Sequence, residues 1–402
     1  MIYFLLLKRK LNWKYILSAA IVIRLLLLFS FPNLSDDIYR FAWDGEMVTN
    51  SINPYALSPD EFINDHDQSN QFHDELLNKM NSRSYFSVYP PICQLLFAVS
   101  SEISSGSMYS YLLVFKSLLL FFEILTLLLI IKLLLLFNMP TSSLSIYAFN
   151  PLVLVEIMGN AHLEGVMLFF LLGTIYCLNT SRFIPAILSF AAAVNVKLLP
   201  LMLLPAIIFK LGTKRGLLIT VGTMICSAIL FIPFYSAELV SNFLSSVDLY
   251  FQKFEFNASI YYFVRELGYI IFGYNIIAYA GMILAILSLF TIVFVSFKDK
   301  IESYKQLIDV FLIIFMIYMT FTTTVHPWYL ITVVGLSVFS NIKSGLIWSG
   351  LIVLSYHTYS SFPYAEDLRV VFLEYLLLWG FMVYEIFNRN RATLNGQLIS
   401  DN

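Results

Sequence analysis

The sequence WKYILSAAIVIRLLLLFSFPNLSDDIYRFAWDG occupies residues 13–45 and joins an apolar run to a polar motif. Residues 13–31 are apolar enough for a membrane-spanning helix. A few residues later, the motif DDIYRFAWDG at 36–45 brings together two adjacent carboxylates, an arginine and a tryptophan. The motif therefore starts at a predicted boundary between membrane and water. Such a cluster adds no stability there, and it predicts chemistry on a polar substrate that is linked to a lipid.

The composition is typical of a polytopic membrane protein. Hydrophobic residues make up 59% of the 402 residues and charged residues make up 12%. A soluble domain carries about twice that charged fraction. The net charge is −2, and there is no basic patch interleaved with aromatic residues, so nucleic acid is not expected as a partner. We predict an all-α protein in a lipid bilayer.

Twelve apolar segments are candidate membrane spans. They are 13–31, 109–137, 142–158, 164–180, 183–196, 198–210, 215–235, 274–297, 306–324, 328–340, 345–361 and 368–387. We predict one integral membrane domain over residues 1–390, with a first outer loop at 32–108, and a polar cytoplasmic tail at 391–402. Within the loop, the apolar positions of 92–104 predict a short amphipathic helix on the membrane surface.

Basic residues predict the orientation of the spans. The cluster at 8–10 and Lys14 flank the first span, which places the N-terminus in the cytoplasm and keeps this span as an uncleaved anchor. If the chain also turns around near Lys197, every later basic loop and the C-terminus are cytoplasmic. The first outer loop holds ten acidic and three basic residues between Asp36 and Arg83. The predicted location is the inner (plasma) membrane.

The same orientation places the unusual polar residues on the outer face. They are Asp36, Asp37, His162, Glu164, Lys197, Glu255, Asn257 and His326. Although these residues are far apart in sequence, we expect them to converge on one site.

The Asp36-Asp37 pair is the candidate catalytic group. Transfer of a sugar with inversion needs a carboxylate that takes the proton of the attacking hydroxyl. In an extended loop the two side chains would point to opposite sides, so that one acts as the base and the other orients it. The pair also suits a metal site, and a solvated acidic loop is the alternative to function. The Arg and Trp that follow favour function.

The remaining residues of the first loop are assigned to substrate binding. Arg40 suits a phosphate, and a salt bridge to Asp36, Asp37 or Asp44 explains it equally well. Trp43 is expected either to stack on a sugar or to lie in the interfacial aromatic belt. The loop contributes Arg40, Trp43, Asp44 and Tyr89 to the predicted set.

Later segments contribute further candidate binding residues. His162 and Glu164 flank a predicted turn and suit phosphate or sugar, although a capped helix start also explains Glu164. Lys197 lies at a predicted helix break, where it either meets a lipid phosphate or reaches the headgroups. The others are Glu255 and Asn257, which would share one face of an extended segment, and His326, which precedes Trp328 and Tyr329.

Arg24 lies inside the first predicted span. Intramembrane arginines are rare and are usually functional or paired. Glu123 and Glu156 are its candidate partners, and we expect a structural pair.

These motifs together resemble the C-type (GT-C) integral membrane glycosyltransferases, in the bacterial branch that uses polyprenyl-phosphate sugars and includes mannosyltransferases. The resemblance covers residues 10–390 and rests on DDIYRFAWDG at 36–45, Asn53-Pro54-Tyr55, Tyr89-Pro90-Pro91, Asn160-x-His162-x-Glu164-Gly165, Lys197-x-x-Pro200, Phe254-x-Phe256-Asn257-x-Ser259 and His326-Pro327-Trp328-Tyr329.

The resemblance implies an acidic first outer loop that carries the catalytic Asp, and inversion at the anomeric carbon. By position, Asp36 or Asp37 takes the role of the base, while Lys197, His326 and Arg40 contact the donor phosphate. Many relatives work without metal. The sequence indicates no cofactor, and the Asp pair does not establish a divalent cation.

We therefore predict an inverting hexosyltransferase with mannose as the expected sugar. The expected partners are a polyprenyl-phosphate sugar donor, a glycolipid or glycan acceptor of the cell envelope, and the bilayer. The alternative is a transporter or flippase of polyprenyl-linked sugars, which would place charges along a path at midmembrane depth. Arg24, Glu123 and Glu156 are the residues that favour this alternative.

Overall fold

The structure is a computed structural model that describes residues 3, 7, 9, 11–65, 70–104, 106–252, 254–298, 300–360 and 364–400. Lys8 and Lys10, on which the predicted orientation partly rests, lie outside these residues. The described chain is all-helical, as predicted. Its one strand-like feature within these ranges is an isolated bridge between Phe256 and Thr324.

The α-helices of the described residues are numbered here in chain order. They are α1 (Trp13–Leu27), α2 (Asp37–Thr49), α3 (Pro59–Asp65), α4 (Gln71–Lys79), α5 (Pro91–Ser104), α6 (Met108–Leu136), α7 (Ser145–Ala148), α8 (Pro151–Val153), α9 (Glu164–Asn179), α10 (Phe183–Val196), α11 (Leu204–Leu211), α12 (Thr213–Phe231), α13 (Leu239–Gln252), α14 (Ile260–Phe272), α15 (Ile277–Lys298), α16 (Tyr304–Phe321), α17 (Leu330–Ser337), α18 (Ser344–Leu351) and α19 (Leu368–Ser400).

Shorter helical turns connect several of these helices. Five are 3-10 segments, at Thr141–Leu144, Leu199–Leu203, Ile232–Phe234, Pro327–Tyr329 and Ile352–Ser360. One is a π-helix, at Leu154–Gly159. The last helix continues through the polar tail as far as Ser400.

Five helical segments of the described chain are long and apolar enough to cross a membrane. They are Met108–Leu136, Thr213–Phe234, Ile277–Lys298, Tyr304–Phe321 and Leu368–Asn388. A pair bent by 54°, Thr141–Ala148 with Pro151–Gly159, is either a sixth, broken span or a re-entrant loop. Other predicted spans coincide with shorter apolar helices, so the count of twelve is not confirmed. The break predicted near Lys197 is present between α10 and the 3-10 turn at Leu199–Leu203.

The first outer loop folds into helices α2 to α5. The expectation that Asp36-Asp37 lies in an extended loop is wrong, because Asp37 is the first residue of α2. Phe41 stacks on Phe97 of α5 with ring centroids 4.6 Å apart. A side chain at Gly45 would collide with the Phe97 carbonyl oxygen, which explains a glycine at the end of the motif. This close packing against α5 favours a helix over an extended segment.

Two basic side chains of the membrane region fix α1 and so position the start of the motif. Arg24 Nε donates to Glu123 Oε2 of α6 at 2.9 Å, so the structure selects Glu123 over Glu156 as its partner. Lys116 Nζ donates to the carbonyls of Leu27 and Ser30, each at 2.6 Å. These are carbonyls at and after the C-terminus of α1, where backbone acceptors lack helical partners. The segment that leads to Asp36 is therefore held from α6.

Candidate functional site

The carboxylates of Asp36 and Asp37 lie at the N-terminus of α2. Asn81 Nδ2 donates to Asp36 Oδ1 at 3.0 Å, and the Asp37 backbone N–H donates to Ser35 Oγ at 3.2 Å. The N-terminus of a helix favours negative charge because its backbone N–H groups are unpaired. The start of α2 therefore places both carboxylates at the positive end of the helix dipole.

His162 is brought to Asp37 by an irregular stretch of backbone. The π-helix at Leu154–Gly159 is followed by Ala161, whose φ of +65° is rare for a residue with a side chain. His162 Nδ1 then lies 2.8 Å from Glu156 Oε2, and its Nε2 lies 3.7 Å from Asp37 Oδ2. The second distance is that of an ion pair and exceeds a normal hydrogen bond. The imidazole thus lies between two carboxylates.

Aromatic rings connect His162 to His326. The ring of His162 stacks on Trp328 with centroids 3.9 Å apart, and Trp328 stacks on His326 at 4.3 Å. Phe256 continues the stack on the other side of His326 at 4.9 Å. Backbone hydrogen bonds between Phe256 and the segment at 323–325 hold this part of the stack in place.

Lys197 and Glu164 form the second charged pair of the site. Lys197 follows the last residue of α10 in an extended conformation, and its Nζ donates to Glu164 Oε1. The same Nζ lies 4.0 Å from the ring centroid of Tyr329, which adds a cation–π contact. Because Tyr329 neighbours Trp328, this pair adjoins the ring stack. We call Asp36, Asp37, Glu156, His162, Glu164, Lys197, His326 and Trp328 together the candidate site.

The pKa values of the two carboxylates are moved in opposite directions. Burial and then the neighbouring charge of Asp37 raise the pKa of Asp36 to about 6. Burial also acts to raise the pKa of Asp37, but its interaction with His162 outweighs this and holds the pKa below its usual value. Asp37 is therefore ionised at neutral pH, while the pKa of Asp36 lies about one unit below neutral pH.

The two histidines of the site also differ in charge. For His162, burial favours the neutral ring, but Asp37 and Glu156 outweigh it and raise the pKa to about 9. For His326, burial lowers the pKa to about 3. His162 is thus a cation at neutral pH and His326 a neutral imidazole. The expected phosphate contact of His326 would be a hydrogen bond without a charge.

The second half of the first motif does not join the candidate site. Arg40 Nε donates to Asp44 Oδ1 at 2.8 Å, and its Nη1 donates to the carbonyls of Ser82 and Tyr85. Trp43 is 1% exposed and packs against Phe62 and His73. These contacts fasten α2 to the rest of the first loop, so Arg40 has its structural partner.

Asp44 and Tyr89 also belong to the packing of the first loop. Asp44 is fully buried and accepts from Ser87 Oγ at 2.5 Å and from Gln94 Nε2 at 3.2 Å. Tyr89 packs edge-on against Phe41, with ring centroids 4.9 Å apart. The structure therefore places both residues in the support of the motif.

Glu255 and Asn257 have partners on other elements. Glu255 accepts from Arg265 Nη1 at 2.6 Å. Asn257 is buried, has a φ of +45°, and donates from its side chain to Glu374 at 3.3 Å. The residue between them, Phe256, is the one that contacts the candidate site. The segment at 255–257 thus contacts the site through the ring of Phe256, and the polar side chains of Glu255 and Asn257 point to other partners.

Sequence reasoning did not assign four of the contributing side chains to the site. Glu156 was a candidate partner of Arg24, and Asn81, Phe256 and Trp328 were not assigned to substrate binding. The signal for Glu156 was an acidic residue in an apolar segment six positions before His162. Among the described residues, no group of three or more His, Cys, Asp or Glu has the arrangement of a metal site. The expected absence of a cofactor stays a prediction.

The arrangement brings together groups that can bind an anion and groups that can accept a proton. Two cations, His162 and Lys197, lie with the carboxylate pair at the ends of apolar helices. These are the features that the resemblance to the C-type membrane glycosyltransferases implies.

Residues 3–212 match the MptA_B family, described as alpha-(1->6)-mannopyranosyltransferase, N-terminal domain. The match covers just over half of the chain, and the chain belongs to this family. The matched residues include Asp36, Asp37, His162 and Lys197, whereas His326 lies beyond the match. A search of curated proteins finds no match to this chain. The protein is thus a mannosyltransferase-like membrane glycosyltransferase, and its family implies a sugar donor and a glycolipid acceptor in a membrane.

Proposed function

We propose that this protein transfers mannose, with inversion, from a polyprenyl-phosphate donor to a hydroxyl of a glycolipid or glycan at the outer face of the membrane. The family description names an alpha-(1->6) linkage. An inverting enzyme that makes an alpha linkage needs a beta-linked donor. The attacking group would be the primary hydroxyl O6 of a mannose on the acceptor.

The single observation that carries this proposal is the meeting of the Asp36-Asp37 pair with His162, Trp328 and His326. These residues come from three distant parts of the sequence. His162 Nε2 lies 3.7 Å from Asp37 Oδ2, and the ring centroid of Trp328 lies 3.9 Å from that of His162 and 4.3 Å from that of His326. A carboxylate next to fixed positive charge meets both demands of glycosyl transfer, which are proton removal and stabilisation of a leaving phosphate.

We assign the base to Asp36 and the orienting role to Asp37. The carboxylate of Asp37 is committed to the ion pair with His162, whereas the hydrogen bond from Asn81 engages Oδ1 of Asp36. A general base works best when its pKa is close to the operating pH, and the raised pKa of Asp36, about 6, meets this condition. Asp36 would accept the hydroxyl proton as the oxygen attacks the anomeric carbon.

The leaving polyprenyl phosphate carries away the electron pair of the bond between the anomeric carbon and oxygen. Lys197 and protonated His162 are the cations available to stabilise the charge that develops on this phosphate. His326, as a neutral imidazole, would donate one hydrogen bond. The stacked indole of Trp328 would limit water in the site, which reduces hydrolysis of the donor.

The test is transfer of radiolabelled mannose from beta-linked polyprenyl-phosphate mannose to a membrane lipid extract by purified protein. Wild type is measured beside Asp36→Asn and Asp37→Asn, with thermal unfolding of each protein as the control for folding. We expect transfer by wild type and its loss in Asp36→Asn. The product linkage is then read by methylation analysis.

Two results would overturn the proposal. Near-normal transfer by both variants would exclude a mechanism that depends on the first loop. No transfer from the mannose donor, or from its glucose and aminoarabinose analogues, would favour the flippase, which a liposome translocation assay tests directly. Against the flippase, the side chains of Arg24 and Glu123 are buried and paired with each other.

A further inference from the structure

We propose that Glu156 is a positioning residue, which acts through His162 to fix the orientation and charge of Asp37 beside the base. The inference rests on the proposed function, because it assigns Glu156 a part in organising that same site. It concerns a residue inside a bent apolar segment, where a carboxylate without a task is costly.

The side chain of Glu156 is fully buried and directed at His162. Its Oε2 lies 2.8 Å from His162 Nδ1 and accepts from Asn160 Nδ2 at 3.2 Å. No hydrogen-bond donor reaches its Oε1 among the residues that the structure describes. Arg24, the partner considered from sequence, is bound to Glu123 instead. The imidazole is therefore the cationic partner that the structure gives to Glu156.

The backbone of Glu156 also holds His162. Its carbonyl accepts from the His162 backbone N–H at 3.0 Å and lies 3.2 Å from the ring Nδ1. This geometry depends on the π-helix and on the positive φ of Ala161. Together they turn the backbone so that the His162 N–H reaches the carbonyl six residues before it. A π-bulge inside a helix often marks a functional site, because it costs stability that regular helix would supply. Here it directs His162 towards both Glu156 and Asp37.

The contact between Glu156 and His162 Nδ1 limits the protonation states that His162 Nε2 can offer to Asp37. A carboxylate 2.8 Å from Nδ1 requires a proton on that nitrogen, so Nε2 faces Asp37 either as a lone pair or as a second N–H. A lone pair opposed to a carboxylate would be repulsive. The face of Trp328 also favours a cationic ring. Glu156 and Trp328 therefore favour the imidazolium, whose positive charge keeps Asp37 ionised.

Several titratable groups from other elements face this imidazole or its two carboxylates. They are Asp36 and Asp37 at the N-terminus of α2, Glu164 of α9, Lys197, His326 and Tyr359. Lys197 is paired with Glu164, so their charges offset one another near His162. Loss of the Glu156 charge would leave Asp37 as the carboxylate that contacts His162.

The direct test is the titration of His162 in the full-length protein by NMR of ring-labelled histidine. The chain has five histidines, so the spectrum is small, and His162→Gln assigns the resonance. We expect a pKa of about 9 in wild type. In Glu156→Gln we expect it to fall by about 1–3 units, since an opposite charge at this distance has an effect of that size. This readout does not depend on transfer activity.

The kinetic test is the pH profile of mannosyl transfer. The wild-type rate is expected to fall as the pH rises through about 9, where His162 loses its proton. In Glu156→Gln this alkaline limb should move to lower pH by the same 1–3 units, which lowers kcat at pH 8 by about twofold to a hundredfold with little change in the donor KM. Glu156→Asp should restore part of the limb. The matched control is Glu374→Gln, which alters a buried carboxylate that is bonded to Trp348 and Asn257.

The two tests separate this inference from the proposed function. An unchanged His162 pKa in Glu156→Gln would overturn the inference, and so would an equal shift in Glu374→Gln. If the His162 pKa falls while Asp36→Asn protein still transfers mannose, the positioning by Glu156 stands and the proposed base is wrong. If Glu156→Gln does not fold, Glu156→Ala supplies the same titration without the carboxylate, and an unchanged His162 pKa there would also overturn the inference.

Discussion

Two buried ion networks of this protein, Arg24–Glu123 and Glu156–His162–Asp37, share one chemistry and differ in how they end. Arg24 and Glu123 are 0% and 1% exposed, and Tyr147 Oη closes the network by donating to Glu123 at 2.6 Å. The other network begins at an equally buried Glu156 but ends at Asp37, whose side chain is 29% exposed. One network is sealed, and the other reaches the surface.

The difference separates structural charge from functional charge. A sealed pair can only hold helices together, and here it joins α1 to α6. In the second network, buried Glu156 and His162 influence the charge of Asp37, and Asp37 is exposed enough for a substrate to contact it. Perturbed ionisation at such a place is a physical indicator of function, although structural pairs also perturb ionisation.

The largest effect is expected from Asp36→Asn. The variant keeps the shape of the side chain and removes its basicity, so transfer should fall by about 10²- to 10⁴-fold, the usual contribution of a general base. Single-turnover transfer of labelled mannose measures it. Donor binding should survive, because the cations of the site are untouched. If Asp36→Asn protein were as active as wild type, the network that ends beside Asp36 could not be assigned to catalysis.

The sealed network should respond in stability and not in chemistry. Arg24→Met leaves Glu123 buried with Tyr147 as its remaining contact, and removal of one partner of a buried pair costs about 3–5 kcal/mol. Thermal unfolding of the purified protein measures the loss. The double variant Arg24→Met/Glu123→Leu should recover most of it, because no charge is then left unpaired. A changed pH profile in the double variant would contradict the division into two networks.

Lys197→Met should raise the donor KM by roughly tenfold. A hydrogen bond to a charged group contributes about 1.5–3 kcal/mol, and part of that is already spent on Glu164. Steady-state transfer at varied donor concentration gives the value. Lys210→Met is the matched control, since that lysine donates to the Ile301 carbonyl at 3.1 Å, outside the site. An unchanged KM together with an unchanged kcat would show that Lys197 only supports the fold.

The smallest effect is a shift of the acid limb in Asp37→Asn. In wild type, transfer should fall as the pH drops through about 6, where Asp36 gains a proton. Asp37 raises the pKa of Asp36 by charge repulsion, so its removal should move this limb towards lower pH by about one unit or less. A pH profile of transfer between pH 4.5 and 8 measures it. Loss of transfer at every pH in Asp37→Asn, with Asp36→Asn protein still active, would mean that Asp37 is the base.

The sequence motif itself separates into two ends, and only the tertiary structure shows this. Asp36 and Asp37 reach the site, while Arg40, Trp43 and Asp44 pack inside the first loop. Sequence reasoning assigned Asp36 and Asp37 to catalysis and Arg40, Trp43 and Asp44 to substrate binding, and it left open a salt bridge from Arg40 to Asp36, Asp37 or Asp44. The helical spacing of Arg40 and Asp44 favours this last pair, since residues four apart meet on one helix face.

The sequence by itself determined an all-helical membrane protein, its acidic first loop and the membership in a transferase family, because apolar length and motif spacing are local properties. It also indicated His162, Lys197 and His326 as unusual. The tertiary structure alone decided that Arg24 takes Glu123, that Glu156 takes His162, and that Trp328 lies between the two imidazoles. These pairings depend on distances between helices that are remote in sequence. Burial and the charged partners together then set the charge of each group, and no pattern along the chain encodes either at that resolution.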